Sequence, residues 1–448
     1  MTASSTPERG QRPLVLAAGI VALEFAAAIT GFVASTLLPV VADDLDARGE
    51  LGLLIAGSTL GLFVALPLAS RVLRRLGARG TLAAGMLAYL GGLALAASAQ
   101  AAWMFALGQF AGGLASGLLA VFGISSAIRH LGERLRIRVV AASSAMWILP
   151  ALAGPAATLG LEHLVGWRWT LLLPVPFVLF GRLLVVRAVR GDRPADTVPR
   201  PLGRTLLVPL GAAGVVLSPD WWPLALLGTA VTVAGMVSIL PAGTARLRPG
   251  TPAALGAMVL FAVGYFGADS LITVLLTSGF QLSLGQAAIV LSAAPLGWGV
   301  TSLLAVRFTS ARAKRSPPEA LRSIGEGLPV ATAKRRLPAA GLTLTALGTA
   351  VLAVELTTGG SFTVALVAWA AGGIGVGLAY PGLYIRATTA GSSGFTAAEL
   401  ATAVITAECV GQLLGRAIGG TLSSAGGLFP SYLLFTAALL AAASASRR

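Results

Sequence analysis

The sequence predicts an all-α membrane protein with about fourteen transmembrane helices. Apolar segments long enough to cross a bilayer recur along the whole 448-residue chain, since about 20 apolar residues span a hydrocarbon layer of ~30 Å. Only 11% of the residues are charged, whereas 56% are hydrophobic. This composition excludes a disordered chain and disfavours a soluble globular protein. The basic residues fall in alternate connections between the segments, a pattern typical of a multi-pass protein.

An even number of segments places both termini on the same side of the membrane. Pro209 and Pro219 interrupt the seventh segment. A twelve-helix alternative therefore treats residues 205–243 as one re-entrant or interfacial hairpin, and the sequence leaves the two counts open. The fourteen segments are residues 14–41, 51–70, 81–99, 101–128, 139–163, 167–187, 205–219, 222–243, 252–277, 286–306, 338–356, 361–385, 396–425 and 427–444.

The basic residues predict the orientation. With the N terminus in the cytoplasm, every Lys and Arg except Arg48, Arg168 and Arg416 falls in a cytoplasmic connection or at the cytoplasmic end of a helix. The positive-inside rule then places both termini in the cytoplasm, and the excess of Arg over Lys is typical of GC-rich bacterial genomes. We expect a multi-pass protein of the bacterial plasma (inner) membrane. Because this placement explains the net charge of +15, the expected partner is the lipid bilayer and not nucleic acid.

A short basic turn joins the second and third segments and reads ASRVLRRLGARGTL, residues 69–82. Its residues Arg75, Gly77 and Arg79 resemble the signature loop of the major facilitator superfamily. Two positions depart from that signature, because Ser70 replaces its first glycine and Arg74 replaces its aspartate. The resemblance implies a gating role for this loop, without the charge network that the aspartate anchors in the family.

The fifth segment contains Gly154-Pro155, and the outer turn after it reads Gly-Trp-Arg-Trp at residues 166–169. Proline removes a backbone hydrogen bond and kinks a helix, which membrane bundles tolerate when neighbours satisfy the freed group. This pair and turn resemble the antiporter motif of the export branch of the same superfamily. Thr158 and Leu159 stand where that motif usually has glycines.

Two further segments carry family positions with altered residues. The fourth segment resembles the family's fourth-helix motif at Gly113 and Gly117, but Gln109 stands where relatives have an arginine linked to proton transfer. In the first segment, Thr30 stands where the family pattern has an aspartate. The resemblance therefore implies that two members of the usual proton relay are replaced in this chain.

The resemblance covers nearly the whole chain and best suits the fourteen-span drug:proton antiporters. It implies two six-helix bundles of major facilitator type, with two extra central helices, around a central cavity that opens to alternate sides. The bundles are expected at residues 1–190 and 251–448, with the extra helices in a linker at 191–250. It also implies a monomer.

Three acidic residues lie well inside apolar segments, namely Glu24, Asp269 and Glu408. A charged side chain there costs at least ~2.5–3.5 kcal/mol, so it usually faces a cavity or a partner. Because desolvation favours the protonated form of a carboxyl group, such a residue can take a proton from one side and release it to the other. Glu24 has no basic residue in its own segment, which favours a role in proton coupling or substrate binding.

The other two acids have polar neighbours in their own segments. Glu408, Gln412 and Arg416 are spaced i, i+4, i+8 and share one helix face, so a structural pair of Glu408 with Arg416 and a functional role are both open. Asp269 lies one turn after Tyr265 and is interpreted either as a substrate-binding residue or as a hydrated residue of an outer vestibule.

We therefore predict a secondary active transporter that exports lipophilic or cationic small molecules in exchange for protons. An uncoupled facilitator, or an importer of a specific metabolite, is the alternative, and a membrane enzyme acting on lipid-linked substrates is less favoured. The chain has one cysteine and two isolated histidines, so the sequence supports neither a zinc site nor another metal site. No GxxxxGK[ST] loop is present, and no cofactor is expected.

Overall fold

The computed structural model describes residues 8–130, 148–188, 202–218, 221–315, 328–389 and 397–448. The side chains of some helical residues within these ranges, including Glu24, Arg74 and Arg79, lie outside the described part. The chain divides into two compact units, Met1–Ala213 and Gly214–Arg448. The predicted boundary at residue 190 falls outside the described residues, and the predicted division of the chain into three parts stays a prediction.

The described part of the first unit is helical. A 3-10 turn at Arg48–Glu50 precedes the second helix, and the sixth helix crosses the boundary to the second unit. The helices are α1 Glu8–Asp44, α2 Leu51–Ala97, α3 Ala102–His130, α4 Ile148–Thr170, α5 Val175–Ala188 and α6 Leu202–Val216.

The second unit is also helical. A short π-helical turn, Leu275–Gly279, extends its second helix. The helices are α7 Trp222–Ile239, α8 Thr251–Val274, α9 Leu284–Arg315, α10 Leu328–Thr358, α11 Phe362–Thr388, α12 Ala397–Gly426 and α13 Leu428–Ala445. The described ranges of both units contain no β-strand, so the prediction of an all-α membrane protein is confirmed.

Each of the fourteen predicted apolar segments overlaps a helix. Ten helical segments of the described residues are long and apolar enough to cross a membrane. The other four predicted segments lie on α3, α5, α6 and α12, and α6 is a shorter apolar helix. The count of fourteen crossings is therefore not confirmed and stays a prediction.

The turn predicted between the second and third segments lies inside α2. Helical geometry runs through both segments and breaks only at Gly77, where φ is 67° and ψ is −178°. Side chains other than glycine rarely adopt this positive φ. Thr81 Oγ1 donates a hydrogen bond of 2.8 Å to the Gly77 carbonyl, which fixes the start of the second arm of α2.

Helices α2 and α3 make close backbone contact in the first unit. A Cβ atom at Gly113 would lie only 1.9 Å from the carbonyl oxygen of Ser58, so only glycine fits at this crossing. Such small-residue crossings replace the hydrophobic driving force that is missing inside a bilayer.

In the second unit α8 is the central helix. Most of its residues are buried, and 78% of the apolar window at Thr251–Gly279 is covered by the rest of the protein. Helices α11, α12 and α13 pack on it. A polar side chain on α8 therefore meets other helices rather than lipid.

Candidate functional site

The second unit contains a buried acidic and aromatic cluster, hereafter the α8–α12 cluster, on helices α8, α9, α11 and α12. Glu408 on α12 is half-buried and accepts a hydrogen bond of 3.1 Å at Oε2 from the Tyr380 hydroxyl on α11. Its carboxylate also bonds the side chain of Gln412, one turn further along α12. The predicted shared face of Glu408 and Gln412 is therefore present, and it is directed at α11.

Arg416 on α12 has an acidic neighbour on another helix. Its guanidinium interacts electrostatically with the carboxylate of Asp269 on α8. The structure thus places two of the three predicted acids, Glu408 and Asp269, in one unit, with Asp269 near Arg416.

Aromatic rings connect the two acidic positions. Tyr265 stacks on Trp369 with ring centroids 5.8 Å apart and an angle of 9°. Trp298 meets the edge of Tyr265 at 5.8 Å and lies 5.3 Å from Tyr380, which bonds Glu408. Offset and edge-to-face contacts of this kind are the preferred geometries of aromatic pairs.

The exposed fractions of the side chains divide the rings of the cluster into two groups. Tyr265 and Trp369 are 3% and 1% exposed, so they pack against protein and hold the other rings in place. Trp298, Tyr380 and Glu408 are only half-buried. A carboxylate close to half-buried aromatic rings is suited to binding an organic cation.

The first unit contains a buried arginine, which the positive-inside rule assigns to the cytoplasmic end of a helix. Arg182 on α5 is 3% exposed, and its guanidinium lies 5.3 Å from the ring centroid of Tyr89 on α2. The signal was present in the sequence, because Arg182 lies inside the apolar run VPFVLFGRLLVV, five residues before Arg187.

Thr30, the residue at the family's aspartate position, lies beside this pair. Its hydroxyl donates a hydrogen bond of 2.8 Å to the Ala26 carbonyl of its own helix. The Tyr89 hydroxyl is close to Thr30 but makes no hydrogen bond of normal geometry within the described residues. The buried polar residues around Thr30 therefore include a permanent cation, and Thr30 itself carries no charge.

The remaining predicted site residues are distributed over the first unit. Gln109 on α3 packs its Cβ beside Gly57 of α2 and is half-buried. Glu24 lies on α1, and its side chain falls outside the described residues. Arg75 is exposed two residues before the bend of α2 at Gly77, and the side chain of Arg79 is also outside the described part.

The antiporter-like segment forms the contact of α4 with α1. Gly154 packs against Phe32, with 3.3 Å between a Cβ placed at the glycine and that of the phenylalanine, and Pro155 is buried. Backbone dihedrals stay helical through this pair, and within α4 the non-helical residue is Gly166 with φ of 79°.

The turn after Gly166 is held by Arg168. One guanidinium nitrogen lies 2.8 Å from Asp44 Oδ2, and another donates a hydrogen bond of 3.1 Å to the Ala99 carbonyl. The guanidinium also lies 4.3 Å from the ring centroid of Trp167. This turn therefore links the end of α4 to the end of α1 and to the α2–α3 connection.

A sequence model of the Major Facilitator Superfamily matches residues 20–325. Two strains of Mycobacterium tuberculosis, CDC 1551 / Oshkosh and H37Rv, each have a protein described as a "probable multidrug-efflux transporter". Each is 26% identical to this chain over 460 residues, covering 95% of this chain and 92% of the relative.

Solved structures share the fold at low sequence identity. An auto-inhibited peptide transporter of the POT family has a TM-score of 0.66 at 14% identity, covering 97% of both chains. A D-xylose-proton symporter has a TM-score of 0.62 at 13% identity, covering 96% of this chain and 95% of its own. At these low identities the similarities show a shared fold.

Proposed function

The chain belongs to the Major Facilitator Superfamily, and we propose that it exports lipophilic or cationic small molecules in exchange for protons by alternating access. It is a multi-pass membrane transporter and not an enzyme. The relatives described as multidrug-efflux transporters support export of drug-like molecules, at the modest identity of 26%.

The observation that carries the proposal is the α8–α12 cluster. Glu408 is held by the Tyr380 hydroxyl at 3.1 Å, and the Tyr380 ring lies 5.3 Å from the half-buried ring of Trp298. A carboxylate has room for about four hydrogen bonds, so the bonds from Tyr380 and Gln412 leave acceptor sites for a ligand. A cation on the aromatic faces gains up to about 2 kcal/mol per desolvated contact.

The same carboxylate suits proton exchange. In the proposed cycle Glu408 binds either a substrate cation or a proton, so loading of one releases the other. Asp269, which shares its neighbourhood with Arg416, then serves mainly substrate selection. In the first unit, Thr30 and Gln109 replace the family's aspartate and arginine, and Glu24 is the proposed carboxylate there. Proton coupling is proposed to require Glu24 as well as Glu408, so Glu408 alone does not sustain it.

The proton gradient is large enough for this task without ATP. One proton entering across ~100 mV supplies ~2.3 kcal/mol, and one pH unit adds ~1.4 kcal/mol. The sum of ~3.7 kcal/mol sustains a gradient of roughly 500-fold for a neutral solute exchanged one for one. A monovalent cation exchanges without net charge movement, so only the pH unit counts, which sustains roughly a tenfold gradient.

Transport by the purified chain in proteoliposomes tests the proposal. Vesicles with an acidic lumen are expected to accumulate ethidium against its gradient, and a protonophore should stop the accumulation. Equal ethidium movement with and without the pH gradient would instead identify a facilitator. Arg74 and Gln109, which replace the aspartate and arginine of the family motifs, favour that second candidate.

Topology and assembly form a further part of the proposal. We propose fourteen crossings, with six-helix bundles at residues 1–190 and 251–448 and two extra helices at 191–250. We also propose that the protein is a monomer with both termini in the cytoplasm of a bacterial cell. Cysteines introduced at each terminus of a Cys409→Ser chain should both resist an impermeant thiol reagent in intact cells. Labelling of one terminus alone would require an odd number of crossings.

A further inference from the structure

A groove lies at the end of α7 in the second unit. It has a volume of about 300 Å³ and is lined by the last turns of α7 and by the turn at 241–248 that follows. Met236, Val237 and Leu240 form an apolar wall, while Arg246 and Arg248 lie at the other side. The groove therefore combines an apolar surface with two positive charges.

The charged side of the groove is shaped by its backbone. The Arg246 amide donates a hydrogen bond of 3.2 Å to the Gly243 carbonyl, and the Arg248 amide donates one of 3.1 Å to the same oxygen. The aliphatic part of Arg248 lies directly over Gly243. Both arginine side chains remain exposed, so their guanidinium groups are available to a ligand.

The position of the groove along α7 indicates its surroundings. Only 17% of the apolar window at Trp222–Ile239 is covered by protein, so most of this helix faces lipid. Trp221 and Trp222 are exposed at its first end, where tryptophan marks a membrane–water interface. The groove lies at the opposite end, 18 residues or ~27 Å away, at the second interface.

We propose that this groove binds an anionic glycerophospholipid. Its phosphate would contact Arg246 and Arg248, because guanidinium groups match phosphate oxygens with paired hydrogen bonds. One acyl chain would lie along Met236, Val237 and Leu240. A net negative headgroup matches the two arginines, whereas a zwitterionic headgroup presents an equal positive charge to them.

Lipid binding to the purified full-length protein tests this inference. Native mass spectrometry would compare phosphatidylglycerol with phosphatidylcholine on the wild type and on Arg246→Gln/Arg248→Gln. Each basic residue near an anionic lipid contributes about fivefold, so the double variant should bind phosphatidylglycerol roughly 30-fold more weakly. Phosphatidylcholine binding should be weak in the wild type and unchanged in the variant.

Two controls separate this site from general attraction to positive charge. Arg187→Gln/Arg336→Gln removes the same charge at two exposed helix residues outside the groove, and it should bind phosphatidylglycerol like the wild type. Ala245→Trp fills the groove without changing charge and should weaken binding as strongly as the double variant. Melting temperatures of all variants in detergent establish that they are folded.

Three results would overturn the inference. The first is equal loss of phosphatidylglycerol in both double variants, which would assign binding to overall charge. The second is undiminished binding by Ala245→Trp. The third is displacement of the lipid by soluble glycerol phosphate at equal concentration, since that would assign binding to the headgroup without an acyl-chain site.

Discussion

Replacing Glu408 by glutamine is the sharpest perturbation of the α8–α12 cluster. Glutamine keeps the size of the side chain, and its carbonyl oxygen still accepts the hydrogen bond from Tyr380 that is 3.1 Å long in the wild type. The change therefore removes the negative charge and leaves the aromatic packing around Trp298 and Tyr380 intact. We expect Glu408→Gln to weaken the binding of cations and to spare neutral ligands.

The size of the effect follows from the geometry of Glu408. The Tyr380 and Gln412 side chains occupy two of its hydrogen-bonding sites, which leaves sites for a ligand N–H group. A hydrogen bond to a charged group contributes about 1.5–3 kcal/mol. At about 1.4 kcal/mol per factor of ten, the dissociation constant of a cation should rise roughly 10- to 150-fold.

Isothermal titration calorimetry on the purified protein measures this difference. Ethidium serves as the cationic probe and chloramphenicol as the neutral one. Glu355→Gln is the matched control, because Glu355 is a half-buried acid of the same unit that bonds the Ser361 amide at 3.0 Å. The control should bind both probes as the wild type does.

Two outcomes would refute the reasoning. If Glu408→Gln binds ethidium as tightly as the wild type, this carboxylate does not contact the cation. If the variant loses affinity for both probes equally, the change has disturbed packing, and the charge of Glu408 has no specific role.

Three further predictions concern other residues. Glu24→Gln should abolish proton-driven ethidium accumulation in proteoliposomes at normal expression, and full pH-driven export would contradict this role. Asp269→Asn should alter substrate preference across a panel of cations more than it alters coupling, so an unchanged panel counts against it. Gly113→Val should lower the melting temperature strongly, because a Cβ there would lie 1.9 Å from the Ser58 carbonyl oxygen. Gly112→Val is the control, since a Cβ at Gly112 meets open space. An equally large loss of melting temperature in Gly112→Val would contradict this packing argument.

The helical architecture could be predicted because membrane-spanning segments are recognisable in the sequence. Each needs a run of apolar residues long enough to span the bilayer, and such runs identified the positions of the helices. The bend at Gly77 was also predictable, since glycine tolerates the positive φ found there. The sequence left twelve and fourteen crossings open around Pro209, where α6 is only 15 residues long.

The partners of the buried charges could not be predicted. Tyr380 and Glu408 are 28 residues apart, and Asp269 and Arg416 are 147 residues apart along the chain. Spacing within α12 left a pair of Glu408 with Arg416 open, and it gave no sign that helix packing places Asp269 near Arg416. Contacts between helices depend on their rotation and depth, which hydropathy does not encode.

Arg182 was missed for a related reason. The rule that basic residues mark inner helix ends is correct on average, and it assigned this residue to the interface next to Arg187. The position of Arg182 over the Tyr89 ring follows from how α5 packs on α2. A search for single charges inside apolar runs, regardless of their distance from the helix end, would have found it.

Proton movement driven by substrate tests the central claim most directly. Proteoliposomes containing a pH-sensitive dye would be given an ethidium gradient with no imposed pH gradient. Proton-coupled export predicts that ethidium entry drives protons out of the lumen, and that this proton flux is absent in Glu24→Gln. Ethidium entry through the wild-type protein with no change in luminal pH would contradict it.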